Sequence, residues 1–327
     1  MNKSGFTAVD GSKDCLSRGL IFLAFFAMIF ECSATYASSF VIVPTYDSTI
    51  TSDSNAATIE ATINSTIGVY EATFTDPITV NITFQEMNSG LGQSSTSFDT
   101  ILYSSYLTAL TADAKSSNDA VALAHLGAGP NNPVNNNPNI NVTLPNLRAV
   151  GIIENPLPGR PDGKIGLNTS IMNLSRAGQQ DSNKYDLMAV VSHEINEVFG
   201  LGSALPTPPS RTIFPEDLFR YDSNGVRTFT TSGDNAYFSI DGTNDLARFN
   251  QDSGGDYGDW WSTGAHTPRV QDAFGTPGAQ PNLGVEVTAL DVIGYDLAPV
   301  PEPATVVLLG AGLVVAGLRR RRGRQAR

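Results

Sequence analysis

Tyr185-Asp-Leu-Met-Ala-Val-Val-Ser-His193-Glu194-Ile-Asn-Glu197-Val-Phe199-Gly200 is the stretch from which the rest of the chain is read. Leu187, Met188, Val190 and Val191 give it an apolar side, no proline interrupts it, and Gly200 supplies the stop that helices commonly take at their C-terminal end. The run therefore predicts a helix over 185–199. His193 and Glu197 stand one turn apart, so both side chains leave the same face and can grip one ion. Glu194 is displaced to the neighbouring edge, where it can polarise a water beside that ion.

Outward from this helix, residues 39–44 read as a short apolar strand, and residues 56–74 place Ile59, Ile63, Ile67 and Tyr70 at helical spacing. Ile78 to Phe84 alternates with period two, the pattern of a half-buried strand. Residues 98–114 return to helical spacing through Ile101, Leu102, Tyr106 and Leu110, residues 118–126 add a shorter helix, and the Asn/Pro-rich run 127–145 is a loop. Further strands are expected near Val142, over 149–153 and over 164–168. Beyond Gly200 the character turns to strands and turns: 218–221, the Ser-Asn-Gly turn at 223–225, 227–231, 236–240, and the Asp/Gly-rich run 252–259. A last helix is expected over 285–293. No internal repeat is found.

Both ends read as addresses. Lys3, Lys13 and Arg18 precede the apolar run 19–30 and the small residues of 33–37, the order of a secretory signal peptide over 1–37 with cleavage after Ala37 or Ala34. The apolar run is about 12 residues where a membrane span needs roughly 20. At the other end, Pro301-Glu302-Pro303 stands ahead of the apolar stretch 305–318 and of Arg319, Arg320, Arg321, Arg322 and Arg324. That order resembles the PEP-CTERM sorting signal of Gram-negative bacteria, over 300–327. The resemblance implies export across the inner membrane, processing by signal peptidase and an exosortase, and delivery to the cell surface or an exopolysaccharide matrix. Contact with the membrane would then be only through the tail before processing.

The chain of 327 residues carries 20 Lys+Arg against 32 Asp+Glu, a formal net charge of −12, which argues against nucleic acid and anionic lipid as partners. Removing both ends leaves 11 basic and 28 acidic residues over 38–299, a body at −17. Cys15 and Cys32 leave with the leader, so the body has no cysteine and no disulfide in spite of export. Any stapling has to come from its core or from bound metal.

The His193-Glu194-Ile-Asn-Glu197-Val-Phe-Gly200 run resembles the active helix of zinc metalloproteases with a His-Glu-x-x-His motif, and the glycine three residues after the second ligand position is similar to metzincins. With the sorting tail and the acidic downstream segments, the chain resembles metalloprotease-like proteins among PEP-CTERM substrates. The resemblance implies an α+β zincin fold: a mixed sheet with a central active-site helix over 38–203 and a loop/β-rich C-terminal subdomain over 204–299. It implies Glu194 as the catalytic base, His193 and Glu197 as zinc ligands, and a peptide or protein substrate. Departures accompany it: Glu197 replaces the second histidine, Ser203 stands at the third ligand position, and no methionine follows Met188. His266 is expected to complete the set, with Asp217 as second choice, since two histidines and a carboxylate make a catalytic zinc set with one position for water.

Asp252, Asp256 and Asp259, among Gly254, Gly255 and Gly258, form a candidate calcium loop without EF-hand spacing. Tyr221 and Tyr295 are both open as oxyanion donors, and Trp260 and Trp261 as core or cleft residues. Two readings compete for the whole. In one, the protein is an exported zinc metallopeptidase; in the other, it is an inactive zincin-fold matrix protein with a structural or polysaccharide-binding role. His193 as an ordinary half-buried histidine with solvated glutamates is the plain alternative to both.

Overall fold

Val80, Ile82 and Phe84 are buried while Thr79, Asn81 and Thr83 between them are only half covered, so this strand lays one face on the core. The computed structural model describes residues 40–299 apart from 155, 157, 209, 210, 233 and 234. The expected leader (1–37) and the sorting signal with Pro301, Glu302 and Pro303 lie outside the described residues.

The main sheet is built from β1 (Val41–Tyr46), β2 (Thr79–Glu86), β3 (Gly92–Thr96) and, later in the chain, β6 (Gly163–Leu167), in the order β1-β2-β6-β3. β1, β2 and β6 are parallel, with Ile42 opposite Val80 and Phe84 opposite Ile165. β3 runs antiparallel to β6 at the edge, with Ser94 opposite Ile165. Between β1 and β2 the chain crosses through α1 (Ser48–Thr51) and α2 (Ala56–Thr73), which buries Ile59, Ile63, Ile67 and Tyr70 as its spacing predicts.

The expected helix over 98–114 begins only at Tyr103. Residues 98–102 form β4 (Phe98–Leu102), drawn out of the helix by antiparallel pairing with β5 (Asn139–Thr143). α3 (Tyr103–Asp113) and α4 (Ser117–Leu126) follow, the second opened by a reciprocal cap between Ser116 and Asp119. The strand expected over 149–153 is instead the end of α5 (Leu144–Ala149) and a turn. The Thr143 hydroxyl caps the Asn146 amide and Pro145 occupies the first turn, so local start signals outweigh the apolar run.

The short parallel pair β7 (Met172–Asn173) and β8 (Tyr185–Asp186) leads into α6 (Leu187–Phe199). A second, antiparallel sheet follows, in the order β11-β10-β9, from β9 (Arg220–Asp222), β10 (Ala236–Phe238) and β11 (Ala247–Arg248). The strand expected over 227–231 reduces to a single bridge between Tyr221 and Arg227. α7 (Val285–Val292) closes the series.

α6 is held at both ends and pressed against the sheet. Asp186 accepts a hydrogen bond from the Ala189 amide and is itself gripped by Arg176 at 2.6 Å. Gly200, at φ +121°, donates to the carbonyls of Asn196 and Glu197, a turn that a side chain would strain. A Cβ on Gly163 would come within 2.8 Å of Val198, and one on Gly92 within 2.8 Å of both Val190 and the Glu194 carboxyl carbon. These two glycines let the helix lie close over β6 and β3. Beneath the last turn Phe199 packs on Phe40, Tyr70 and Tyr295, and the same buried core continues through Phe219, Phe238, Trp260 and Leu290. The chain is thus a mixed α+β structure with small sheets.

Candidate metal centre

His193 Nε2, a Glu197 oxygen and an Asp259 oxygen lie within 4.8 Å of one another. His193 Nε2 is 3.6 Å from Glu197 Oε1 and 3.5 Å from Asp259 Oδ1. The first two are one turn apart on α6, as the sequence predicts. Asp259 arrives from the acidic loop, where its backbone carbonyl accepts from the Asn250 amide at 2.7 Å and the next residue, Trp260, is bridged to Gln271 and Ala273.

One dipeptide orients both halves of this group. The carbonyl of Val270 lies 3.0 Å from His193 Nδ1, which donates to it and turns Nε2 toward the carboxylates. Gln271 Nε2 donates to Asp259 Oδ1 at 2.9 Å, and its Oε1 accepts from Asn196 Nδ2 at 2.9 Å. Asn196 Oδ1 in turn lies 2.7 Å from the Tyr70 hydroxyl. The Gln271 amide and the Trp260 indole both donate to Glu286 Oε1, at 3.1 and 2.9 Å, which ties the dipeptide to α7. Asn196, Gln271 and Glu286 are fully or nearly fully buried. Sequence reasoning missed all three. Asn196 stood inside the motif, but its partners come from loops that carry no periodic signal.

The electrostatics are those of a crowded acidic cluster around one imidazole. Burial alone would lower the His193 pKa, yet the charges of Asp259, Glu197 and Glu194 hold it well above its ordinary value. Burial pushes Asp259 up to about 7, against the pull of His193. Burial also acts to raise Glu197, but hydrogen bonds from His193 and Ser94 keep it below the usual range. Glu194 is 4 % exposed, and burial followed by the charge of Glu197 raises its pKa strongly. Its Oε2 has no donor.

The group faces a cleft of about 940 Å³ lined by Gly92, Gln93, Ser94, Glu194, Asp256 and Phe274 among others. β3 forms part of its wall and is the last strand of its sheet among the described residues. Gly92-Gln-Ser-Ser-Thr96 has no apolar alternation, so nothing in its residue pattern marks it as a strand.

The remaining expected site residues lie elsewhere. His266 does not join His193 and Glu197: its Nε2 pairs with Asp272 at 2.9 Å, its Nδ1 donates to the Gly264 carbonyl, and it lines a separate recess with Tyr237 and Trp261. Asp217 is engaged by Ser203 Oγ and by the amides of Ala204 and Phe214 at 2.5 to 3.0 Å, a buckle between two loop segments. The three aspartates of the candidate calcium loop do not gather. Asp252 folds back on the Gly254 amide, Asp256 lines the cleft, and Asp259 turns to His193. Trp260 is core; the Tyr295 hydroxyl donates to the Phe199 carbonyl and Tyr221 is covered by Arg227, so neither tyrosine lines the cleft.

The site therefore offers an imidazole nitrogen and two carboxylates, oriented from behind and opening on a cleft. Residues 299–322 match the PEP-CTERM protein-sorting motif. The chain thus carries a signal for export and exosortase-dependent sorting to the surface of Gram-negative bacteria. No curated protein and no solved structure matches the chain. Among the described residues no helix is long and apolar enough to cross a membrane.

Proposed function

We propose that this is an exported metal-dependent hydrolase of zincin type, acting on extended peptide segments at the cell surface or in the surrounding matrix. The observation that carries the reading is the meeting of His193, Glu197 and Asp259 beside the buried carboxyl of Glu194 on the cleft wall. One nitrogen and two carboxylate oxygens suit zinc and leave a fourth position open. Bound there, zinc would supply Lewis acidity to a scissile carbonyl and to the attacking water.

The chain's own residues supply the rest. Glu194 takes the proton of the water and returns it to the leaving amine, a role that suits a carboxyl whose pKa burial has raised. Val270 and Gln271 hold His193 and Asp259 in place, so no ligand has to reorganise. β3 presents an edge along the cleft, where an extended peptide can pair by main-chain hydrogen bonds.

The test is metal content followed by cleavage of an unfolded protein such as casein. One zinc per chain is expected, with hydrolysis lowered about 10²- to 10⁴-fold in Glu194→Gln. Cleavage unchanged in that variant overturns the reading. Stoichiometric metal with no hydrolysis of any peptide in a library overturns the enzyme and leaves a metal-bearing matrix protein.

A further inference from the structure

A second group of carboxylates, sharing no residue with the first, gathers at the ends of three helices. Asp76 follows α2, Asp113 ends α3, and Asp296 follows α7; their oxygens lie within 4.8 Å of one another. Asp76 is 1 % exposed and Asp296 6 %. Asp76 Oδ2 accepts from the Asp296 amide at 2.9 Å, while its Oδ1 is buried and accepts from nothing. An unpartnered carboxylate oxygen held out of water among two other carboxylates is costly unless something positive sits with it. The positive group present is Lys115, paired with Asp296. Its side chain is 67 % exposed, so it caps the cluster from solvent and can leave it.

We propose that Asp76, Asp113 and Asp296 form a calcium site that clips the C-terminal segment of the folded body to the ends of α2 and α3. Three carboxylates, each binding through one or two oxygens, give three to six of the six to eight oxygen ligands that calcium takes, with water for the remainder. The absence of nitrogen and sulfur donors from the group favours a hard cation over zinc. Burial and the neighbouring Asp296 charge push Asp76 up to about 8, and burial followed by Asp296 takes Asp113 up to about 7, which marks how poorly the cluster tolerates its charges alone. The surroundings are already arranged for a fixed geometry. The Thr75 amide donates to the Asp296 carbonyl at 2.9 Å, Phe74 bridges Leu297, and the Ala298 amide donates to the Thr73 carbonyl at 2.8 Å. Asp113 Oδ2 lies over Gly294, where an added Cβ would stand 3.7 Å from it. In a body without cysteine, a cation here does the work of a disulfide: it joins segments more than two hundred residues apart in the chain.

The site is independent of the His193 centre, and the test separates them. Calcium is titrated calorimetrically into purified His193→Ala protein, with thermal unfolding followed in about 10 mM calcium and in chelator. The expected result is one ion per chain with Kd on the order of 10⁻⁴ M, and a rise in Tm of about 5–10 °C. Asp113→Asn, at a half-buried position that tolerates an isosteric amide, should abolish both. Lys115→Ala should tighten binding, because the competing ammonium is gone. Absence of calcium binding overturns the proposal, and so does binding that survives Asp113→Asn.

Discussion

Asp259, and not His266, should decide whether the centre on α6 holds zinc. His193 Nε2 and Asp259 Oδ1 are 3.5 Å apart. At an effective dielectric of about 20, unit charges at that separation attract by about 5 kcal/mol before desolvation is counted. A divalent ion in the same place is drawn more strongly, so the charge of Asp259 is a large part of what the group offers. Asp259→Asn keeps the shape and can still accept from Gln271, so the change isolates charge. Loss of a hydrogen-bonding partner behind a ligand typically costs 10–100-fold in metal affinity. Gln271→Ala should fall within about that range and Asp259→Asn should exceed it, whereas His266→Ala should leave affinity unchanged. Competition against a chromophoric zinc chelator reads all three. In the metal-free protein the same substitution should lower the His193 pKa, visible as a shifted imidazole titration by NMR, because the leading carboxylate that opposes desolvation is neutralised. Wild-type zinc affinity in Asp259→Asn, or an equal loss in His266→Ala, would refute the assignment.

Three further outcomes are expected. Gly92→Ala should press on Val190 and Glu194, costing about 1–3 kcal/mol in urea unfolding and lowering hydrolysis more than zinc content. Arg148→Met leaves Asp162, its fully buried partner at 2.6 Å, without a counter-charge, and should destabilise by about 3–5 kcal/mol in the same assay. In chelator, stability should fall as pH rises from the ordinary carboxylate value of 3.8 to about 8, because the folded state keeps protons on Asp76 and Asp113 that the unfolded chain has released. The slope is up to about 1.4 kcal/mol per pH unit for Asp76 and less for the more exposed Asp113; a flat profile in chelator would contradict it.

α6 was legible because its information is local: an apolar side, a glycine stop and two ligand types one turn apart all lie within sixteen residues, 185–200. α2 and β2 were legible for the same reason, each burying a face that its own periodicity marks. The third member of the metal group was not. Asp259 was visible as part of an acidic loop, but its direction depends on Trp260 pairing with Gln271, a contact between two irregular segments. His266 was favoured by residue type, and the neighbouring Asp272 takes its Nε2. β3 is polar on both faces because it is a short edge beside a cleft, so no alternation announces it. α5 begins where the Thr143 hydroxyl caps the Asn146 amide and Pro145 fills the first turn, a start that the apolar run over 149–153 does not mark.

The Ala298 amide donates to the Thr73 carbonyl, and the sorting motif begins at residue 299. The chain therefore leaves the folded body beside Thr73, Phe74 and Thr75, in the same seam where the Asp296 amide meets Asp76. Fraying of residues 296–298 would add free chain ahead of the signal. The stability of this one seam thus sets where the folded body stops and the sorting signal starts.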